Sequence, residues 1–241
     1  MVTRFFSTSK PIHFVIVIIF TFAVFMVVRI NNLENSLSFV LILKQLGIYT
    51  VVLISIFVLD FLVSKNNLTK RNGFKILLFS LFIAILPITV QIDNVLISNL
   101  FVLLALRRII SLRSNKRVKK KLFDAAFWIA IASLFYFWAI LFFILIIAAL
   151  FFYSITNFKN WIIPFVGLLT VVIIISSYSI IESNNFSKIF NYIDTTGSDF
   201  TTYNVLNLII GITILVSLGL WSLFFYLGNL KSKIKRQRPS H

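Results

Sequence analysis

Apolar runs long enough to cross a bilayer recur from one end of this 241-residue chain to the other, and only short, mostly basic segments separate them. A transmembrane helix needs about 20 predominantly apolar residues. Seven blocks carry that signature: 12–28, 46–63, 74–90, 95–110, 122–155, 162–181 and 205–227. The chain is 59% hydrophobic and 12% charged, against roughly 25% charged in ordinary soluble domains. With a mean hydropathy of +1.00, the sequence predicts an all-α, polytopic transmembrane helix bundle forming a single membrane domain over 1–241, with a basic tail at 228–241.

The block 122–155 decides the number of helices. Its 34 residues would make one helix about 51 Å long, while the hydrocarbon core is about 30 Å thick. Two helices meeting near Phe137 and Trp138 place 20 of the 23 cations on one side, leaving only Arg29, Lys44 and Lys188 on the other. A single helix would send the cations of the tail to the opposite face, against the positive-inside rule. The expectation is therefore about eight helices, with both termini in the cytoplasm. No proline or glycine marks the turn at Trp138, so a shallow re-entrant hairpin and two full spans both stay open. Tyr136, Trp138, Trp161 and Tyr203 suit the headgroup level. The first block lacks a signal-peptidase site and reads as a retained helix.

The net charge of +16 invites a nucleic-acid reading. The cations, however, lie between apolar runs, where they orient a membrane protein and meet anionic lipid. The run of Arg107, Arg108, Arg113, Lys116, Arg117, Lys119, Lys120 and Lys121 is the densest such group. It is expected to contact anionic headgroups or phosphate, with 113–121 as a solvated connection and no nucleic acid involved.

Chemistry is scarce. With no cysteine and two histidines, His13 and His241, the chain cannot assemble a histidine cluster, so no metal site or other cofactor is expected. Ser/His/acid catalysis would have His13 as its one usable base. The seven carboxylates are Glu34, Asp60, Asp93, Asp124, Glu182, Asp194 and Asp199. Asp60 and Asp124 lie at the cytoplasmic ends of spans and are candidates for intramembrane pairing, Asp60 with Arg107 or Arg108 and Asp124 at the opening of its helix. Asp93, Asn94, Ser98 and Asn99 form the one compact polar group beside a span. Glu34 and Asp93 are the candidate catalytic carboxylates of the outer face.

Several residues read as packing or boundary signals. Pro87 should kink or end the third helix, and Pro164 falls in the first turn of its span, where proline is tolerated. Ala126 and Ala130, and Gly211 with Gly219, have the small-residue spacing that lets membrane helices approach closely. Between 182 and 203, Phe186, Ile189, Phe190 and Ile193 suggest a short amphipathic turn, with Ser198 or Asp199 capping the last helix.

At residues 99–114, Asn-Leu-Phe-Val-Leu-Leu-Ala-Leu-Arg-Arg-Ile-Ile-Ser-Leu-Arg-Ser, and 119–137, Lys-Lys-Lys-Leu-Phe-Asp-Ala-Ala-Phe-Trp-Ile-Ala-Ile-Ala-Ser-Leu-Phe-Tyr-Phe, the chain resembles a domain-of-unknown-function family of polytopic membrane proteins of the Bacteroidota. The resemblance implies a bacterial inner-membrane protein and brings no activity. More faintly, the same block resembles multi-spanning glycosyltransferases that use polyprenyl-phosphate sugars. That family carries a catalytic carboxylate on a long first outer loop, where this chain offers Glu34 on a short one. The leading expectation is a non-catalytic subunit or scaffold of an envelope process, with a membrane-protein partner. A lipid-linked-sugar enzyme, with Arg29 or Lys44 holding phosphate, and a small-solute transporter are the alternatives.

Overall fold

The computed structural model describes residues 2–30, 39–153, 157–183 and 206–236, with side chains over 4–30, 39–153, 157–181, 206 and 208–226. Among the described residues the fold is wholly helical: α1 (Val2–Phe6), α2 (Pro11–Ile30), α3 (Phe39–Lys65), α4 (Phe74–Ile85), α5 (Pro87–Gln91), α6 (Asp93–Ser111), α7 (Val118–Phe135), α8 (Phe143–Phe152), α9 (Phe158–Ser183) and α10 (Leu206–Arg236). Two 3-10 segments, Leu112–Ser114 and Phe137–Phe142, join α6 to α7 and α7 to α8. The chain divides into two compact units, Met1–Asp199 and Phe200–His241.

Among the described residues, five helices are long and apolar enough to cross a membrane: Pro11–Ile30, Phe39–Lys65, Asp93–Ser114, Phe158–Ile181 and Leu208–Tyr226. Their outward faces stay apolar, with Ile19 63% and Ile173 61% exposed. Contiguous apolar surface of this extent has a low free energy only against hydrocarbon. The chain is a multi-pass helical membrane protein.

The long apolar block does break. Tyr136, at φ −145° and ψ 106°, ends α7, its N–H bonding back to the Ala132 carbonyl. The 3-10 segment and α8 then return along α7, and Ile146 and Leu150 join Leu112, Leu122 and Ile129 in one apolar core. Ser98 Oγ donates to the Ala132 carbonyl at 3.0 Å, which fixes the height of the turn against α6. Asp93 lies about 7.5 Å beyond Ser98 and Tyr136 about 6 Å beyond Ala132, at about 1.5 Å per residue. The turn thus reaches nearly to the level of the first residue of α6.

The third block breaks as well. Pro87 cannot donate to the ladder and drives the residue before it out of the α region; Leu86 accordingly sits at φ −115°, ψ 68° and separates α4 from α5.

Three boundaries differ from the sequence expectation. First, α9 begins at Phe158, with the Lys159 N–H bonding to Asn157 Oδ1 at 3.1 Å, so Pro164 is inside the helix rather than in its first turn. Asn157 supplies a cap ahead of the apolar run. Second, α7 begins at Val118, so Lys119, Lys120 and Lys121 belong to a helix and Asp124 does not open it. Third, α3 begins at Phe39 and includes Lys44, which the apolar run alone leaves outside.

Small residues set one close contact. A Cβ on Gly167 would lie 2.8 Å from the Phe123 carbonyl oxygen and 3.0 Å from Ala126 Cβ, so α7 and α9 touch backbone to backbone there. Ala126 and Ala130 are buried as the spacing predicts. A Cβ on Gly219 would meet nothing within 4 Å among the described residues. The amphipathic turn over 186–193 and the caps Ser198 and Asp199 lie outside the described residues.

Candidate functional site

Charge gathers at the two ends of unit 1. At one end, Arg29 is in the last turn of α2, Lys44 and Gln45 lie in the second turn of α3, Val90 is next to the last residue of α5 and Asp93 opens α6. Arg29 Nε and Nη2 donate to the Val90 carbonyl at 3.0 and 2.8 Å, and Nη1 to Gln45 Oε1 at 2.6 Å. Nη2 also reaches Asp93 Oδ1 at 2.5 Å, and Lys44 Nζ lies 2.9 Å from Oδ2. The Arg29 guanidinium rests 4.7 Å from the centre of the Phe25 ring.

This arrangement follows from helix ends. The last carbonyls of a helix have no partner within it, and because α5 ends at Gln91, with Ile92 extended at φ −96°, ψ 104°, Val90 is one of them. A cation is favoured at the C-terminus of α2 and an anion at the N-terminus of α6, so the Arg29–Asp93 pair is aligned with both helix dipoles. Arg29 is 8% exposed. Each of its three nitrogens has an acceptor, and both oxygens of Asp93 are taken. The site holds charge in place, and it joins α2, α3, α5 and α6.

At the other end, Lys75 Nζ pairs with Asp60 Oδ1 at 2.8 Å and also bonds Ser64 Oγ. Arg108 Nη2 lies 3.0 Å from Asp124 Oδ2. Asp60 is therefore not the partner of Arg107 or Arg108. Lys75, in the first turn of α4, reaches it across the short 66–73 connection. Arg107 stacks 4.9 Å over the Phe61 ring, and Lys65 lies 5.1 Å from the same ring. Lys121 Nζ donates to the Ser111 carbonyl at 2.5 Å and to Ser114 Oγ at 2.7 Å. Of the eight cations grouped by sequence, Arg107, Arg108 and Lys121 are engaged within the protein. Arg113, Lys116, Arg117, Lys119 and Lys120 are exposed.

Of the two carboxylates singled out for chemistry, Asp93 is the centre of the first cluster, and Glu34 lies outside the described residues. Arg29 and Lys44, read as phosphate-holding candidates, both come to Asp93. Gln45 and the Val90 carbonyl were missed: an uncharged side chain and a backbone atom carry no pattern along the sequence.

His13 is buried, its Nδ1 accepting from the Lys10 N–H at 3.3 Å and its ring wedged against Phe5 and Phe6 with centroids 4.7 and 4.8 Å apart. Its Nε2 is buried without a partner. Among the described residues no three His, Asp or Glu converge. No protein-family model, curated protein or solved structure matches the chain.

Proposed function

We propose that this chain is a non-catalytic subunit or scaffold of a bacterial inner-membrane assembly serving an envelope process, with about eight crossings and both termini in the cytoplasm. One observation carries the reading: Asp60, Asp93 and Asp124, the three carboxylates whose side chains are described, are each ion-paired to a cation from another helix. Charge in this bundle is spent on joining helices. Most serine and threonine hydroxyls of the spans bond carbonyls of their own helix, as Thr21, Ser55, Ser80 and Thr170 do, which satisfies them without creating a site.

The exposed Arg113, Lys116, Arg117, Lys119 and Lys120 fit anionic headgroups, each worth about 1 kcal/mol near a charged leaflet. The chain has no cysteine, so single cysteines report topology without background. A cysteine at Lys116 should be labelled only from the cytoplasm and one at Asn94 only from outside. Labelling of both from one side would overturn the orientation. For the assembly itself, purification from mild detergent should recover one membrane protein at constant ratio. A chain that is always solitary, yet still supports the cellular process, would refute the scaffold reading.

The convergence of Arg29 and Lys44 on Asp93 favours one rival, an enzyme acting on lipid-linked sugars with Asp93 or Glu34 as its carboxylate. Lys44 has a side chain 61% exposed and could turn toward a phosphate. Two changes separate the readings: Glu34→Gln with Lys44→Ala, which leaves the Arg29–Asp93 pair intact, should preserve function in a scaffold and abolish it in the enzyme.

A further inference from the structure

We propose that the cleft between α6 and the arm following Tyr136 binds one diacyl lipid, whose ester carbonyl accepts a hydrogen bond from the Asn99 amide. The cleft has a volume of about 520 Å³, and its wall is almost all hydrocarbon, with Val95 and Val102 on α6 facing Trp138, Leu141 and Leu145. A space of that size is far beyond an ordinary packing defect and within the range of ligand sites. Its origin is the break at Tyr136. Because the return begins as a 3-10 segment, the ridges of α8 do not continue along α6, and a gap is left opposite its first three turns.

Two polar side chains of α6 face this gap. Ser98 is satisfied by the Ala132 carbonyl. Asn99 is partly buried and makes no side-chain hydrogen bond among the described residues. An amide left unpaired in hydrocarbon is costly, so the occupant should bring an acceptor to that depth. Asn99 is about 9 Å along α6 from Asp93. The headgroup zone is roughly 5–8 Å thick on each side of the core. With the charged cluster at Asp93 in that zone, Asn99 falls just inside the hydrocarbon boundary, level with the ester linkages of a glycerolipid.

The remaining features fit the same occupant. Leu141 and Ile144 at the rim are 61% and 67% exposed, so the cleft is continuous with the lipid-facing surface and a chain can enter sideways. Water is a poor tenant, since an ordered water needs two to four polar partners and Asn99 is the one side chain there with none of its own. The inference rests on the membrane reading and is independent of whether the chain is a scaffold or an enzyme.

The test uses the full chain in phosphatidylcholine vesicles doped with a phosphatidylglycerol that carries a diazirine in mid-chain. After irradiation, label in peptides covering 95–102 and 137–145 should exceed that on the outward face of α3 at Phe57. Diester phosphatidylglycerol should displace the cleft label about fivefold better than its diether analogue, the difference one amide–carbonyl hydrogen bond makes. Asn99→Leu should erase that preference, and Val95→Trp should fill the cleft and lower its label about tenfold with the α3 label unchanged. Equal displacement by ester and ether lipids in the unaltered chain would overturn the proposal, as would cleft labelling no higher than on α3. A quantitative disulfide between cysteines placed at Leu141 and in α10 would overturn it too, by making the last helix the occupant.

Discussion

Arg29 Nη2 lies 2.5 Å from Asp93 Oδ1 across 64 residues of sequence, in a site where Arg29 is only 8% exposed. Breaking a buried pair by deleting one partner leaves an uncompensated charge and costs about 3–5 kcal/mol. Arg29→Ala is therefore expected to destabilise the fold by about 3 kcal/mol, since Lys44 remains to pair Asp93. Arg29→Lys should cost nearly as much, because a single ammonium cannot reach Val90, Gln45 and Asp93 together. Lys44→Ala, at an exposed position, should cost less than about 1 kcal/mol. Unfolding in mixed micelles measures all three, and equal losses for Arg29→Ala and Lys44→Ala would contradict this ranking.

Pro87 acts on the same site through the backbone. Pro87→Ala lets α4 run on into α5 and changes the direction of that last turn, so the Val90 carbonyl leaves its present place beside Arg29. The double variant with Arg29→Ala should then be less destabilised than the sum of the two single changes, with a coupling of about 0.5–3 kcal/mol. Simple additivity would mean that the break and the arginine are independent.

The apolar blocks made the helical class legible, and the charge asymmetry called for a break in 122–155, which falls at Tyr136, beside the expected meeting point at Phe137 and Trp138. What escaped were features that depend on a partner. Lys44 and Gln45 interrupt an apolar stretch that already starts at Phe39, so a span counted from position 46 leaves out the first two turns of α3. The choice of Lys75 over Arg107 for Asp60 depends on how α4 lies against α3, which no spacing encodes. Ala126 was visible as a small residue, but its counterpart Gly167, 41 positions on, is defined only by the packing of α9. Pro164 was misplaced because Asn157 starts α9 before its apolar segment.

Gly167 should be the least tolerant glycine of those described. A methyl group there meets the Phe123 carbonyl oxygen at 2.8 Å, which is backbone and cannot swing away. Gly167→Ala is expected to force α9 off α7 at a cost of about 1–3 kcal/mol. Gly219→Ala meets nothing within 4 Å, and should stabilise α10 by about 0.5–1 kcal/mol through helix propensity. Opposite signs in the same micelle titration are the expected result.

The N-terminal helix is held by a lock of three residues. The Gly73 N–H donates to the Phe6 carbonyl at 2.9 Å, Phe6 is 5% exposed, and a Cβ on Gly73 would come 2.9 Å from both His13 Nδ1 and Phe6 Cδ1. A helix of five residues has too few internal bonds to persist alone, so α1 depends on this contact. Gly73→Ala displaces the Phe6 and His13 rings together and should release α1 while the paired core of α6, α7 and α9 is retained. Hydrogen exchange is the direct measure. In the first segment the Phe6 amide should lose most of its protection in Gly73→Ala, as should the amide of residue 73 that bonds the Phe6 carbonyl, and the amides of Leu122–Ile131 should keep theirs. Unchanged protection in the first segment would show that α1 is anchored by something other than this lock.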